Sequence, residues 1–450
     1  MNGGKEETEH PQRIHILGLG NVGTFVAHSL AGIPNRPPIT LLLKGINHFK
    51  QWRAADETLN VTTRHVTESK RGFEYEVRLR DVADVPLQEV LEKQSYMSQS
   101  SGIETAEDRE NARSPSEPEA RTAIDSRAIS KDPTWGAPSS SSYLQPLLLS
   151  ADLERELDNH RTDENEVIHH LIVATKAYAT ARAIKNYAHR LNKDSTILFL
   201  QNGMGVIGEV TDLCFPDVKY RPHYMIGVNT HDLKRQGQHF DVAHTREGTI
   251  AIGNMPYPFT FGSESNVPFS KANASSRHLM RTMTRVPVFV AVGFRPTDLL
   301  QHQLDRLAVN AIINPVTAIL DTKNGGLDSN FYVTRVMRLL LTETSLVIRN
   351  LPELKDVPNV NVRYSTARIE QTVFWFTRVT AEDDSSMLQD LRRRNQTEVD
   401  YINGYFVKRG EQIGLRCVMN YMVMNLVKAK SLLQTRDKEA VLPYAASSSS

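Results

Sequence analysis

Short apolar runs, broken by glycine, proline and polar clusters, fill the first two thirds of the chain, and a three-to-four-residue apolar rhythm takes over near Asp298. Arg13 to Leu17 predicts a strand that runs into Gly18-Leu19-Gly20-Asn21-Val22-Gly23. A helix from Thr24 to Ala31 and a strand from Ile39 to Leu43 should follow. Residues 59–82 alternate enough for one or two strands, Phe73 to Val77 being the clearest. His170 to Ala174 predicts a buried strand and Thr175 to Tyr178 the turn after it. A helix should then reach about Leu191. Thr196 to Leu200 is the next strand, and Gln201-Asn202-Gly203-Met204-Gly205 its turn. Further strands are expected at Met225 to Thr230, ending at His231, and at Val288 to Val292, started by Pro287. Phe240 to Val242 and Thr249 to Ile252 have the form of strands paired around a turn. The pattern predicts an α/β N-terminal domain of Rossmann type and an all-α C-terminal domain. Their expected bounds are 13–294 and 295–436, with loose tails at 1–12 and 437–450.

The pattern fails between about 94 and 166. That stretch is rich in Ser, Glu, Asp, Arg and Pro, and it cannot bury enough apolar surface to offset its chain entropy. It is expected to be a long disordered insertion between two strands of the N-terminal half. Tyr143 to Leu149, an apolar patch inside it, has the character of a docking segment for another protein or of a cover element.

Asp305 to Leu327 predicts a helix with two unlike faces. Leu307, Ala308, Ala311 and Ile312 offer apolar surface, while His302, Arg306, Asn310 and Asn314 recur every four residues. Asn is a weak helix former, so two on one stripe beside a cation suggest the wall of a cleft. The alternative is that these amides only satisfy the backbone freed by Pro315, which should kink or end the helix. Asn324-Gly325-Gly326 marks a turn.

Strand, G-x-G-x-x-G, helix, strand is the opening of a dinucleotide site. Gly18 serves the tight turn, Gly20 the approach of a pyrophosphate, and Gly23 the close packing of helix on strand. The second strand ends in Leu43-Lys44-Gly45 with no acid for a ribose 2′-hydroxyl, which points to NADP with Lys44 near its 2′-phosphate. Lys176 and Asn202 stand at the carboxyl ends of successive strands, where ligands of open α/β sheets sit.

Composition narrows the classes. The chain of 450 residues is 40% hydrophobic and 23% charged, with a net charge of +1, so no overall field draws it to nucleic acid or anionic membrane. Arg392-Arg393-Arg394 therefore fits a solvated helix better than a nucleic-acid patch. Cys214 and Cys417 are too few for a disulfide framework. No apolar run suits a membrane span, and the N-terminus lacks secretory and mitochondrial character. The expected location is cytoplasmic, with a mitochondrial one left open.

Several blocks together resemble the ketopantoate reductases (2-dehydropantoate 2-reductases): GLGNVG, ATKAY, QNGMG, LAVNAIINPVTAI with NGGL, and SSMLQDLRRRNQTEVDYINGY. The resemblance leaves out residues 94–166. It implies a Rossmann domain, a helical substrate domain, NADPH, and reduction of a 2-oxo acid to a 2-hydroxy acid in pantothenate synthesis. By position it implies that Gly18, Leu19, Gly20, Asn21, Val22 and Gly23 form the pyrophosphate loop. Lys44 and Lys176 would lie near the phosphates and ribose, and Asn202 between nicotinamide and substrate. Asn310, Asn314, Asn324 and Ser386 would hold the substrate, and Glu398 would sit beside both cofactor and substrate. The family carries a lysine proton donor immediately before LAVN, where this chain has Arg306. Arginine polarises a carbonyl but is a poor acid, so His302 or a water becomes the expected proton source. The partners expected are a small 2-oxo acid and, as one state open to the family, a second copy in a homodimer. Two alternatives accompany the reductase: a non-catalytic NADP-binding regulatory or interaction protein, and a reductase of another 2-oxo acid.

Overall fold

The structure, a computed structural model, describes residues 12–78, 166–255 and 273–440. The expected insertion at 94–166 and its apolar patch therefore lie outside the described residues, except for Glu166.

Two sheets sandwich the first helix. The strands are β1 (Ile14–Leu17), β2 (Ile39–Lys44), β3 (Leu59–Thr63), β4 (Val66–Lys70), β5 (Glu74–Arg78), β6 (His170–Val173), β7 (Thr196–Phe199), β8 (His223–Asn229), β9 (Asp232–Arg235), β10 (Asp241–Arg246), β11 (Ile250–Asn254) and β12 (Ala291–Gly293). The large sheet has the order β12-β11-β8-β7-β6-β1-β2-β5, and the small one β4-β3-β10-β9. In the large sheet only the β11–β8 pair is antiparallel. β1, β6 and β7 are buried throughout, as strands covered on both faces must be. Helix α1 (Asn21–Leu30) is buried from Gly23 to Leu30 because the small sheet covers the side that the large sheet leaves free. Phe25 of α1 meets the rings of His231, His244 and Phe289 at 5.2, 4.9 and 5.5 Å.

Helices α2 (Gly45–Ala54), α3 (Ala177–Lys185), α4 (Val206–Cys214) and α5 (Ala274–Arg285) complete the α/β half. Next come α6 (Pro296–Leu320), α7 (Phe331–Arg349), α8 (Val360–Arg363), α9 (Thr366–Val379), α10 (Ser386–Arg392), α11 (Val399–Gln412) and α12 (Val418–Ala440). Leu304, Leu307, Ala311 and Ile312 of α6 belong to one apolar core with Leu340, Leu341, Val373, Phe406 and Val427. Both halves fall within one compact unit. Among the described residues no helix is long and apolar enough to cross a membrane.

Several expectations need correction. Residues 240–252 form no hairpin: β10 pairs with β3 and β9, while β11 pairs with β8 and β12 in the other sheet. Pro287 opens a 3-10 turn rather than a strand, and β12 starts only at Ala291, after Val290 has turned left-handed with φ 43°. Residues 59–78 hold three strands. Helix α3 stops at Lys185, six residues early, and α12 extends to Ala440, into the expected tail. Pro315 does not end α6. The carbonyl of Ala311, which a residue at 315 with an N–H would have satisfied, accepts instead from Asn403 Nδ2 at 2.8 Å.

Candidate active site

The glycine turn is set by steric limits. Gly18 has φ 94°, and a Cβ there would stand 2.6 Å from the backbone nitrogen of Thr175. A Cβ on Gly23 would stand 1.9 Å from the Gly18 oxygen, so bulk at either position would break the packing of α1 on β1. Gly20 differs: the place of its Cβ is open, and α1 starts beside it without a side-chain cap. Open space in front of unpartnered first-turn N–H groups is a cradle for an anion. Asn21 does not face that space with its amide; its Nδ2 donates to the Leu233 oxygen at 2.9 Å and so ties the turn to β9.

Beyond the end of β7 the chain meets the helical half. Gly203, at φ 84°, sits so close to Tyr401 that a Cβ would come within 2.7 Å of it, and the Met204 N–H donates to the Tyr401 oxygen at 2.8 Å. This contact fixes Asn202 at a small cleft open to solvent. Its walls are the Gln201–Gly203 turn, Ile226 to Asn229 of β8, and Gln303, Arg306, Leu307 and Asn310 of α6. The Arg306 guanidinium lies over Phe376, 5.8 Å from the ring centre, and its Nε is buried without a hydrogen-bond partner. Burial draws it below the usual arginine range, and nearby Asp232 opposes that shift. Among the described residues no carboxylate forms an ion pair with it. The cleft thus offers a cation beside five side-chain amides, Asn202 and Asn310 among them, a surface suited to a small anion with a polarisable carbonyl.

A second cluster joins the halves. The Lys176 ammonium donates to Asp390 Oδ2 at 2.7 Å and Glu398 Oε2 at 3.4 Å. Glu398 Oε1 accepts from the Ala177 N–H at 2.8 Å, so it caps α3 from the helical side. Burial pulls the Lys176 ammonium down, but Glu398 and Asp390 together outweigh it and hold it above the ordinary lysine value. Burial likewise raises both carboxyls, against the pull of Lys176.

The other expected residues are scattered. Asn314 reaches Ser386 Oγ at 3.5 Å and does not line the cleft. Asn324 is buried and donates to Thr380 Oγ1 at 2.9 Å, packing its turn onto the end of α9. The His302 ring lies against Phe294, 4.4 Å between centres, and is also absent from the cleft wall. The expectation of one straight stripe from His302 to Asn314 was too simple. Each four-residue step advances about 40° around a helix, so residues three steps apart diverge by about a third of a turn. The wall that forms is Gln303, Arg306 and Asn310, spaced three and then four. Gln303 could have been found by that spacing. Asp390, one turn after Ser386, carried the same kind of signal. Lys44 is exposed at the end of β2.

Comparison with known proteins decides the family. The model for ketopantoate reductase PanE/ApbA matches residues 141–257, and the model for the C-terminal part of the same family matches 298–431. A 2-dehydropantoate 2-reductase of Archaeoglobus fulgidus is 30% identical over 275 residues, 61% of this chain and 80% of that protein. The chain belongs to the ketopantoate reductase family. A probable 2-dehydropantoate 2-reductase of Schizosaccharomyces pombe is 29% identical over 270 residues, covering 58% of this chain and 74% of its own. Among solved structures, a D-mandelate dehydrogenase with NADH and anilino(oxo)acetate superposes with TM-score 0.59 at 15% identity, over 94% of this chain and 99% of that one. A ketopantoate reductase from Ralstonia eutropha gives 0.57 at 17%, with the same coverage. The family match begins at residue 141, so the last part of the segment expected to lie outside the resemblance, 141–166, belongs inside it.

Proposed function

We propose that the chain reduces 2-dehydropantoate to pantoate with NADPH, a step of pantothenate and coenzyme A biosynthesis in the cytoplasm. One observation carries this reading: Arg306, with no ion-paired carboxylate among the described residues, lines the same cleft as Asn202 and Asn310. The open face of Gly20 and the uncapped amides of α1 fit a dinucleotide pyrophosphate, with Lys44 and Lys176 along its path. The chemistry supplied by bound NADPH is a hydride to the 2-oxo carbon. Arg306 donates to the oxo oxygen and stabilises the alkoxide that develops there. Asn202 and Asn310 orient the substrate, and Asn314, Asn324 and Ser386 shape the ground behind them. Glu398 holds Lys176 and the start of α3 in place. The proton reaches the alkoxide from water on the open side of the cleft, since the His302 ring is turned to Phe294.

The test is NADPH oxidation on addition of 2-dehydropantoate, run beside thermal denaturation with NADPH. Turnover supports the reading. Stabilisation by NADPH without turnover on any 2-oxo acid would replace it with a non-catalytic NADP-binding protein, the alternative raised by an arginine standing where the family has its lysine. Turnover only with other oxo acids would keep the chemistry and change the substrate.

A further inference from the structure

A joint between the two sheets rests on a buried pair of imidazoles that the proposed reaction leaves unused. His231 follows the end of β8 in the large sheet. His244 stands on β10 in the small one, where the β10–β9 register shifts between His244 and Arg246. The two residues are 5% and 4% exposed. His231 Nδ1 accepts from the Gly248 N–H at 3.0 Å, so the proton of that ring sits on Nε2, which donates to the Phe289 oxygen at 3.2 Å. A Cβ on Gly248 would stand 2.4 Å from the His231 nitrogen, so a residue with a side chain could not bring its N–H there. His244 Nε2 lies 3.0 Å from the same His231 Nδ1 and must carry the proton between them. His244 Nδ1 is then bare, and it is buried without a hydrogen-bond partner. Both rings pack on Phe25 of α1, the helix that leaves the glycine turn. The His231 N–H also donates to Asn229 Oδ1 at 3.0 Å, and Asn229 lines the cleft. The arrangement fits uncharged rings. A first proton can enter only at the bare His244 Nδ1 and would charge a buried ring. A second, at His231 Nδ1, would meet two N–H groups already aimed at it and set two cations 3.0 Å apart.

We propose that the His231–His244 pair is a proton-operated latch: uncharged, it holds the small sheet, the turn before β12 and α1 together, and doubly charged it lets them part, so that acid withdraws the dinucleotide site. This adds regulation to the proposed reductase and rests on dinucleotide binding at the glycine turn. The surroundings set the direction. Burial is the largest influence and holds both imidazoles below the ordinary 6.5. At His231 the Phe289 carbonyl and Glu247 oppose it while His244 adds to it; at His244 the Arg246 backbone, Glu247 and Asp232 oppose it. α1 presents the Phe25 ring and the turn before β12 the Phe289 carbonyl, neither of which titrates. A histidine depressed in the fold lends stability that is complete above its unfolded value and is lost as the pH falls below it. The latch therefore holds above about 6.5 and gives way below it.

The experiment measures binding without substrate, so its outcome is separate from turnover. Dissociation constants of NADPH are taken from about pH 8 to about pH 5, beside thermal denaturation, for the full chain, His244→Gln and His244→Leu. NADH is run in parallel, because its ribose carries no titrating phosphate. Glutamine still donates to His231 Nδ1 but takes up no proton, and leucine does neither. In the parent, affinity for both dinucleotides and Tm should fall together below about pH 6.5, affinity by up to about a hundredfold per pH unit once both rings titrate. His244→Gln should match the parent at the alkaline end and lose most of the acid limb, whereas His244→Leu should be weakened at every pH. A parent without the acid limb, or a limb unchanged in His244→Gln, would overturn the latch. If the glutamine variant does not fold, calorimetry of NADH binding to the parent at about pH 5.5 in two buffers counts the protons: release of about one to two supports the latch, and none overturns it. A parent that binds no dinucleotide would remove the reductase, and a Tm that still falls below about pH 6.5 in the parent but not in His244→Gln would leave the latch between the sheets standing.

Discussion

In the proposed reduction, Arg306 would set the character of the chemistry at the scale of one residue. A guanidinium keeps its proton at every working pH, so it acts through charge rather than as an acid. Arg306→Ala should cut kcat for 2-dehydropantoate about 10² to 10³-fold, the usual worth of one donor to a developing oxyanion. Arg306→Lys should keep measurable turnover but add an alkaline limb to the pH–rate profile, because an ammonium can titrate where a guanidinium cannot. A parent profile that already shows this limb would argue against the assignment. Glu76 makes a different single-residue case. Its carboxylate is clamped by Arg190 at 2.6 and 3.2 Å, with His15 3.6 Å away, all three buried. Burial pushes the carboxyl up, but His15 and Arg190 outweigh it and hold it at about 2 against an ordinary 4.5. A depressed carboxyl stabilises the fold above its unfolded value and loses that effect as the pH falls through the folded one. The contribution, on the order of 3 kcal/mol, should therefore be complete above about 4.5 and vanish towards about 2. Urea titrations of Glu76→Gln across that window should show lower stability at neutral pH and a flatter acid limb.

Helix α6 carries the same logic to an element. Its continuity past Pro315 depends on a side chain from α11, since Asn403 fills the place of the missing N–H and also donates to Asn420 Oδ1 at 3.0 Å. Asn403→Leu should cost about 1 to 3 kcal/mol in thermal or urea denaturation. The penalty should shrink in a Pro315→Ala background, where the helix regains its own bond, and a double-mutant cycle would show the coupling. This also settles what the asparagines of α6 do: Asn310 and Asn314 are not spent on the freed carbonyl. The sequence made the local features legible. The glycine turn, the strands after it and the Arg306–Asn310 pair all declare themselves within a few residues. β3 lies beside β10, with Asn60 opposite Asp241, and no local pattern announces such a partner. For that reason 240–252 resembled a hairpin. Gln303 was hidden for another reason: a four-residue comb follows a straight line, and a helix face curves away from it.

Across the whole molecule, ionic straps bind the α/β half to the helical half on more than one flank. Lys176 reaches Asp390 and Glu398, while Lys234 and Arg246 both reach Asp383, Arg246 at 2.6 Å. Asp390 and Glu398 are buried and the other groups half-buried, so each strap is worth more than a surface pair but remains sensitive to salt. Asp383→Asn should lower Tm by a few degrees, and the difference from the parent should narrow as salt is raised; differential scanning at two ionic strengths reads both. The clamp at Glu76 has a larger consequence. The same Arg190 that holds this carboxylate on β5 also donates from Nε to the Glu166 oxygen at 2.8 Å. One guanidinium therefore holds β5 and the residues that lead into β6 together. Loss of that single side chain would release β5 and the lead-in to β6 together, and hydrogen exchange should show the two loosening as a pair, never one without the other.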